Sequence, residues 1–353
     1  MRVIKLFLGL TLLLCTGNLA AADPFTALWI FGDSTVDTGW YRTNQSGEDS
    51  YDYYMQQSSL GVGKPTSSPG LVSVEVLANL LNLSAIPQNQ TNGTNYATGG
   101  AKNNRQNASS GDGFPKAVPT VTQIENYLAN NTATDTALYV ISSGDNDVAF
   151  ALNHSGPKRY LANAANLLAL EIKKLKQNGN HAKFILIAGL PKSFGSTAQK
   201  KSLRQFYNRQ LRKRLAALHV AYLWGNIDAV RALLESYNGQ PSSPFGISNY
   251  GQGSQTCGTC AACPLPILPP HGQTLPPAIT TDWAYVCSTT TGAPSIATNA
   301  AASEWADNNH YATGGQQVFG VYFYCAAKAK WPTLNWGSPT LPFDCQEFSS
   351  VLP

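Results

Sequence analysis

A chain of 353 residues that is 43% hydrophobic and only 12% charged has an ordinary globular composition, with length for one large α/β domain or two smaller ones. Its formal net charge of +4 is small for that length and gives no electrostatic case for a nucleic-acid partner. Beyond the first 22 residues no stretch approaches the roughly 20 apolar residues of a membrane span, which argues against stable insertion.

Met1 to Ala22 reads as a signal peptide. Arg2 and Lys5 form a positive head, Leu6 to Leu14 an apolar run, and Ala20-Ala21-Ala22 a small-residue cleavage site. The expected product is secreted and begins near Asp23. Cys15 does not mark a lipoprotein, because Leu14 is larger than the small residue usually required before it.

Ala27-Leu28-Trp29-Ile30-Phe31 reads as a buried strand ending in a glycine-containing turn, and Ser34 stands just past it. That is where open α/β sheets bind ligands. An irregular Tyr- and Ser-rich loop spans Asn44 to Ser67, followed by a helix near Leu71–Leu81. Strand-like runs then alternate with helical patterns: Ala137–Ser142 with Arg159–Gln177, Lys183–Ala188 with Lys200–Leu218, and Val220–Trp224 with Ala229–Tyr237. Repeated β–α units of this kind predict one domain with a mainly parallel sheet and helices on both faces. The densest basic run, Lys200 to Arg214, alternates with Leu203, Phe206, Tyr207, Leu211 and Leu215 and reads as the solvated side of an amphipathic helix. Residues 239 to 300 are rich in Pro, Gly, Ser and Thr and read as an insertion, and a final helix is expected from Gly315 to about Lys328.

Without Cys15, six cysteines remain: Cys257, Cys260, Cys263, Cys287, Cys325 and Cys345. In an exported chain that even number favours disulfides, with 15 possible pairings, over the metal-ligand spacing of the first three. Seven Asn-x-Ser/Thr sequons, at Asn44, Asn82, Asn89, Asn92, Asn107, Asn130 and Asn153, accept glycans only in a eukaryotic host.

Asp307-Asn308-Asn309-His310 places a carboxylate three residues before an imidazole. That carboxylate can fix the ring's tautomer while His310 takes a proton from the Ser34 hydroxyl. Taken alone, His310 reads as an exposed loop histidine. Two further segments change that. Asn95-Tyr96-Ala97-Thr98-Gly99-Gly100-Ala101 can present a glycine N–H, and Ser143-Gly144-Asp145-Asn146-Asp147, read as a loop after a strand, can present the Asn146 amide. Both are donors of the kind a developing oxyanion needs. Asp33 and Asp37, which flank the serine, read as helix-start and turn residues.

The ordered series Gly-Asp-Ser, Asn-Tyr-Ala-x-Gly-Gly-Ala, Gly-x-Asn-Asp and Asp-x-x-His resembles the SGNH hydrolases, in particular the GDSL esterase/lipase family. The resemblance implies a flavodoxin-like three-layer α/β/α sandwich rather than an α/β-hydrolase, and no Gly-x-Ser-x-Gly elbow occurs here. It implies Ser34 as nucleophile and oxyanion donor, Gly100 and Asn146 as further donors, His310 as base and Asp307 as its orienting partner. No metal or organic cofactor is needed for that chemistry. Thr35 stands where the family's leucine is usual, and Tyr311 replaces a common proline. The expected protein is a secreted monomeric serine esterase acting on small-molecule, lipid or acylated-carbohydrate esters. The alternatives are a carbohydrate O-acetylesterase, an acyltransferase with the same triad, and a non-catalytic binding module. Trp40, Tyr41, Tyr51, Tyr53 and Tyr54 suit sugar stacking, an acyl groove or ordinary packing equally.

Overall fold

Two five-residue runs, Leu-Tyr-Val-Ile-Ser and Phe-Ile-Leu-Ile-Ala, are apolar at nearly every position, as a strand buried on both faces requires. In a computed structural model of the chain they are β2 (Leu138–Ser142) and β3 (Phe184–Ala188), every residue buried. The residues described are 23–40, 64–66, 70–103, 117–191, 197–240, 242–250, 300–307 and 310–353. The expected leader, the loop aromatics beyond Trp40, and Cys257, Cys260, Cys263 and Cys287 lie outside them.

With β1 (Leu28–Gly32) and β4 (Leu223–Gly225) the runs form a parallel sheet ordered β1-β2-β3-β4, Leu28 in register with Leu138 and Gly32 with Ser142. The segment around Asn95 runs parallel along the free edge of β1. Ile30 N–H donates to the Thr94 carbonyl (3.1 Å), Tyr96 N–H to Ile30 (2.8 Å) and Thr98 N–H to Gly32 (3.1 Å). This short fifth position, second in the chain but first in space, gives the flavodoxin-type arrangement that was expected.

The helices are α1 (Ser73–Leu80), α2 (Thr120–Asn130), α3 (Asp145–Leu152), α4 (Pro157–Gln177), α5 (Ala198–Ala217), α6 (Ile227–Ser236) and α7 (Thr313–Lys330). Local signals set several ends: Pro157 opens α4, the Thr197 hydroxyl accepts from Lys200 N–H at α5, and Asn226 caps α6. Side-chain alternation along the strands then divides the interior in two. Leu28, Ile30, Leu138, Val140, Leu186 and Leu223 pack with α1, α6 and α7, whereas Phe31, Tyr139, Ile141, Ile185 and Ile187 pack with α2, α4 and α5. Each layer buries the apolar stripe of its helices, about 25 cal/mol for each Å² removed from water.

The observed boundaries differ from expectation by no more than two residues except at β4, which begins three residues late. Two helices, α2 and α3, were not expected. α2 buries Val121, Ile124 and Tyr127 at helical spacing, a stripe that sequence reading passed over, and α3 begins inside a segment that reads as a loop. One disulfide, Cys325–Cys345, joins α7 to the 3₁₀ turn Cys345–Phe348 among the described residues.

Candidate active site

Gly32 ends β1, and its backbone is held from three sides. Its N–H donates to Gln123 Oε1 (2.8 Å), and its carbonyl accepts from Gln123 Nε2 (2.8 Å) and from Thr98 N–H. A Cβ here would collide with the Ser142 carbonyl oxygen, so only glycine lets β1 and β2 approach at this point. The chain then turns, Asp33 N–H donating to Ser142 O (3.0 Å) and Val36 N–H to Asp33 O (3.2 Å), which puts partly buried Ser34 at the carboxyl edge of the sheet.

Asp33 is buried, and burial raises its carboxyl to about 6 despite hydrogen bonds from Thr35 N–H (3.0 Å) and the Thr35 hydroxyl (2.7 Å). The Thr35 hydroxyl also pairs with Ser142 Oγ at 2.7 Å, so the residue replacing the usual leucine ties the turn to the end of β2.

The neighbouring loop is fastened to the same turn. Asn95 Nδ2 donates to Val36 O (2.7 Å) and Thr38 Oγ1 (3.0 Å), and Asn95 Oδ1 accepts from Ala97 N–H (2.9 Å). Asp37 Oδ1 serves its own turn by accepting from Gly39 and Trp40 N–H, both at 2.8 Å, as expected. Its Oδ2 also takes the N–H of Gly99 (2.8 Å), a reach that sequence reading missed. Gly99 N–H is thereby committed to Asp37, and the next glycine, Gly100, has φ +78°.

Asn146 lies in the first turn of α3, its Nδ2 donating to Ala101 O at 3.0 Å. Gly144, just before the helix, has φ +121°, and a Cβ there would strike the Tyr207 ring. Asp147 Oδ2 accepts from Asn103 N–H (2.9 Å) and its Oδ1 from the Tyr160 hydroxyl (3.1 Å). Burial outweighs these donors and raises Asp147 to about 7. Burial acts the same way on Asp145, but Arg204 and Lys200 overcome it and lower that carboxyl to about 2. Arg204 grips both Asp145 oxygens, at 2.5 and 2.6 Å.

Asp307 and His310 are both buried and directly joined. His310 Nδ1 lies 2.9 Å from Asp307 Oδ2 and 3.1 Å from Oδ1, and His310 N–H donates to Oδ1 at 2.7 Å. Ala306 N–H donates to His310 O (2.9 Å), and Trp305 pairs antiparallel with Tyr311 across the turn. Tyr311 is wedged between Trp305 and Phe319, ring centroids 4.6 and 4.4 Å away, so packing does here what a proline's fixed backbone would do. A charge on His310 also acts, as the smallest of several influences, on the Asp33 and Asp145 carboxyls, so the imidazole shares their neighbourhood. No hydrogen bond joins Ser34 to His310 among the described residues; in ligand-free sites that contact often tightens only when substrate binds.

Beside the turn, Thr35, Val36, Ala188, Tyr311, Phe319 and Phe323 help line a mainly apolar pocket of about 30 Å³. All five residues singled out from sequence, Ser34, Gly100, Asn146, Asp307 and His310, thus stand on segments gathered at one sheet edge. Sequence reading missed the residues that brace them, chiefly Gln123 and Asn103.

Solved structures with similar folds include an acetylxylan esterase from Geobacillus stearothermophilus, 17% identical over 60% of this chain and 80% of that one, at a TM-score of 0.34. A phospholipase A1 from Streptomyces albidoflavus is 15% identical over 59% and 82%, at a TM-score of 0.33. Superpositions this loose carry no activity across. No curated protein matches the chain in sequence. The GDSL-like Lipase/Acylhydrolase family, however, matches residues 28–242, more than half of the chain and including the serine turn, the glycine loop and the start of α3. The chain belongs to that family and is a hydrolase of ester bonds.

Proposed function

We infer that the protein cleaves carboxylic esters with Ser34 as nucleophile. His310 takes the hydroxyl proton and returns it to the leaving alcohol, while Asp307 holds the ring and stabilises the imidazolium. The N–H groups of Ser34 and Gly100 and the Asn146 amide stabilise the tetrahedral oxyanion, and water then releases the acyl group. The observation carrying this reading is the Asp307–His310 pair at 2.9 Å, buried beside a serine turn braced by Gln123 and Asn95.

A small apolar recess beside the serine turn supports a reading of the acyl group. A volume of about 30 Å³ holds about two water molecules or an acetyl methyl. An apolar recess of that size next to Thr35 suits a short acyl group, and a short-acyl ester is the substrate class proposed. The leader supports export.

Fluorophosphonate labelling of wild type and Ser34→Ala, with p-nitrophenyl esters from acetyl to palmitoyl read in parallel, tests both statements. Labelling should vanish in the mutant and turnover fall by several orders of magnitude. Wild-type turnover in Ser34→Ala would remove the nucleophile, and palmitoyl esters cleaved faster than acetyl would remove the short-acyl reading.

A further inference from the structure

The small net charge conceals a separation. Residues 157–217 hold 14 of the chain's 24 Lys and Arg but one of its 20 Asp and Glu, a formal +13 against −9 on the rest. Helix α5 carries seven basic residues and no acidic one; α4 carries five, with Glu171 paired to Lys174. Both helices bury their apolar stripes in the same core layer and lie against each other, so their solvent sides look the same way. Lys158, Arg159, Lys201, Arg209, Lys213 and Arg214 are exposed there, and among the described residues no carboxylate pairs with them. Like charges three and four apart, as in Arg209 and Lys213, destabilise a helix. An uncompensated field of this kind suits a partner that supplies the opposite charge.

Topology gives the field a direction. Because β2, β3 and β4 are parallel and consecutive, α4 and α5 must run back along the sheet, with their amino ends at its carboxyl edge. Each helix is about 30 Å long. At the near end of this track, Lys200 and Arg204 act on Asp145, the residue before Asn146. At the far end stand Lys174, Arg212, Lys213 and Arg214.

We propose that this face binds a linear carboxylated polysaccharide laid along α4 and α5, which lead it to the site edge. A bilayer fits less well, since this face looks sideways to the opening at Ser34. The large apolar residue exposed among the described ones, Leu71, lies beside α1 on the opposite layer. That the polymer also carries the scissile ester, on a sugar hydroxyl, rests on the ester-hydrolase reading of the site; the docking does not.

The test is retention of full-length Ser34→Ala protein on immobilised polygalacturonate. Binding should be firm at low salt and lost near about 0.3 M, where charges are screened within a few ångströms. Lys201→Gln/Arg209→Gln/Lys213→Gln, in the same background, should bind on the order of tenfold more weakly. The same triple change in active protein should leave p-nitrophenyl acetate hydrolysis unchanged. Salt-independent retention, equal binding to neutral dextran, an unaffected triple variant, or tighter binding to anionic vesicles or duplex DNA would each overturn the proposal. Docking without esterase activity in wild type would sink the site reading alone; activity without docking would sink the docking alone.

Discussion

Removing the Gln123 side chain would unhook Gly32 from the layer behind it. Both backbone groups of Gly32 end on that one amide, so Gln123→Ala should cost about 1–3 kcal/mol of stability by leaving buried polar groups unmatched. Turnover should fall about tenfold or more as the serine turn loosens, since small misplacements cost much in rate. Denaturant unfolding and ester kinetics check it; unchanged kcat would leave Gln123 a purely structural residue. Asn146→Ala should lower kcat by roughly 10² to 10³, the usual loss for one oxyanion donor, with KM little changed. The five proposed site residues were legible because each sits in a short block whose order resembles a family. Gln123 was not, since a lone Gln among Thr and Asn carries no spacing signal and its partner lies 91 positions away. Asp37 was half legible: its turn is local and readable, its bond to Gly99 is not.

Helices α2 and α3 show what periodicity does and does not reveal. The central strands announced themselves because both faces are covered, so no polar position interrupts them. Helix α3 hid behind Gly144-Asp145-Asn146-Asp147, four residues whose side chains favour turns. Here the positive φ of Gly144 lets the chain leave β2 directly into a helix, with Asn146 in its first turn. Gly144→Ala should therefore destabilise the protein by roughly 2–4 kcal/mol, from the left-handed backbone and the clash with Tyr207. Thermal melting reads the loss, and a wild-type melting temperature would contradict the packing described for this junction.

Across the whole molecule, buried acids set how stability responds to pH. Asp33, Asp147 and Glu304 are raised, mainly by burial, to about 6, 7 and 7, so the folded state holds their protons more tightly than the unfolded chain. Their contribution is fully present below about pH 4 and is lost as pH rises through 6 and 7. Unfolding free energy should fall between about pH 4 and 7, and Asp147→Asn should flatten that fall by on the order of 4 kcal/mol. A slope identical in wild type and variant would refute it. The Cys325–Cys345 bridge closes a sequence separation of 20 residues, and Cys345→Ala should cost about 3 kcal/mol, read as a lower melting temperature.

The two core layers also divide the residues of the proposed mechanism. His310 and its turn lead into α7 and rest on the layer containing Trp305, Tyr311 and Phe319. Asn146 belongs to α3, whose Val148 and Ala151 sit in the opposite layer. Damage to one layer should thus leave a recognisable kinetic fingerprint. Loosening the α7 side should disable the proposed base first, so that the remaining hydrolysis comes to depend on hydroxide concentration. Loosening the α3 side spares proton transfer and weakens the grip on transition-state mimics such as boronic acids. The sheet acts as a partition between two ways of failing.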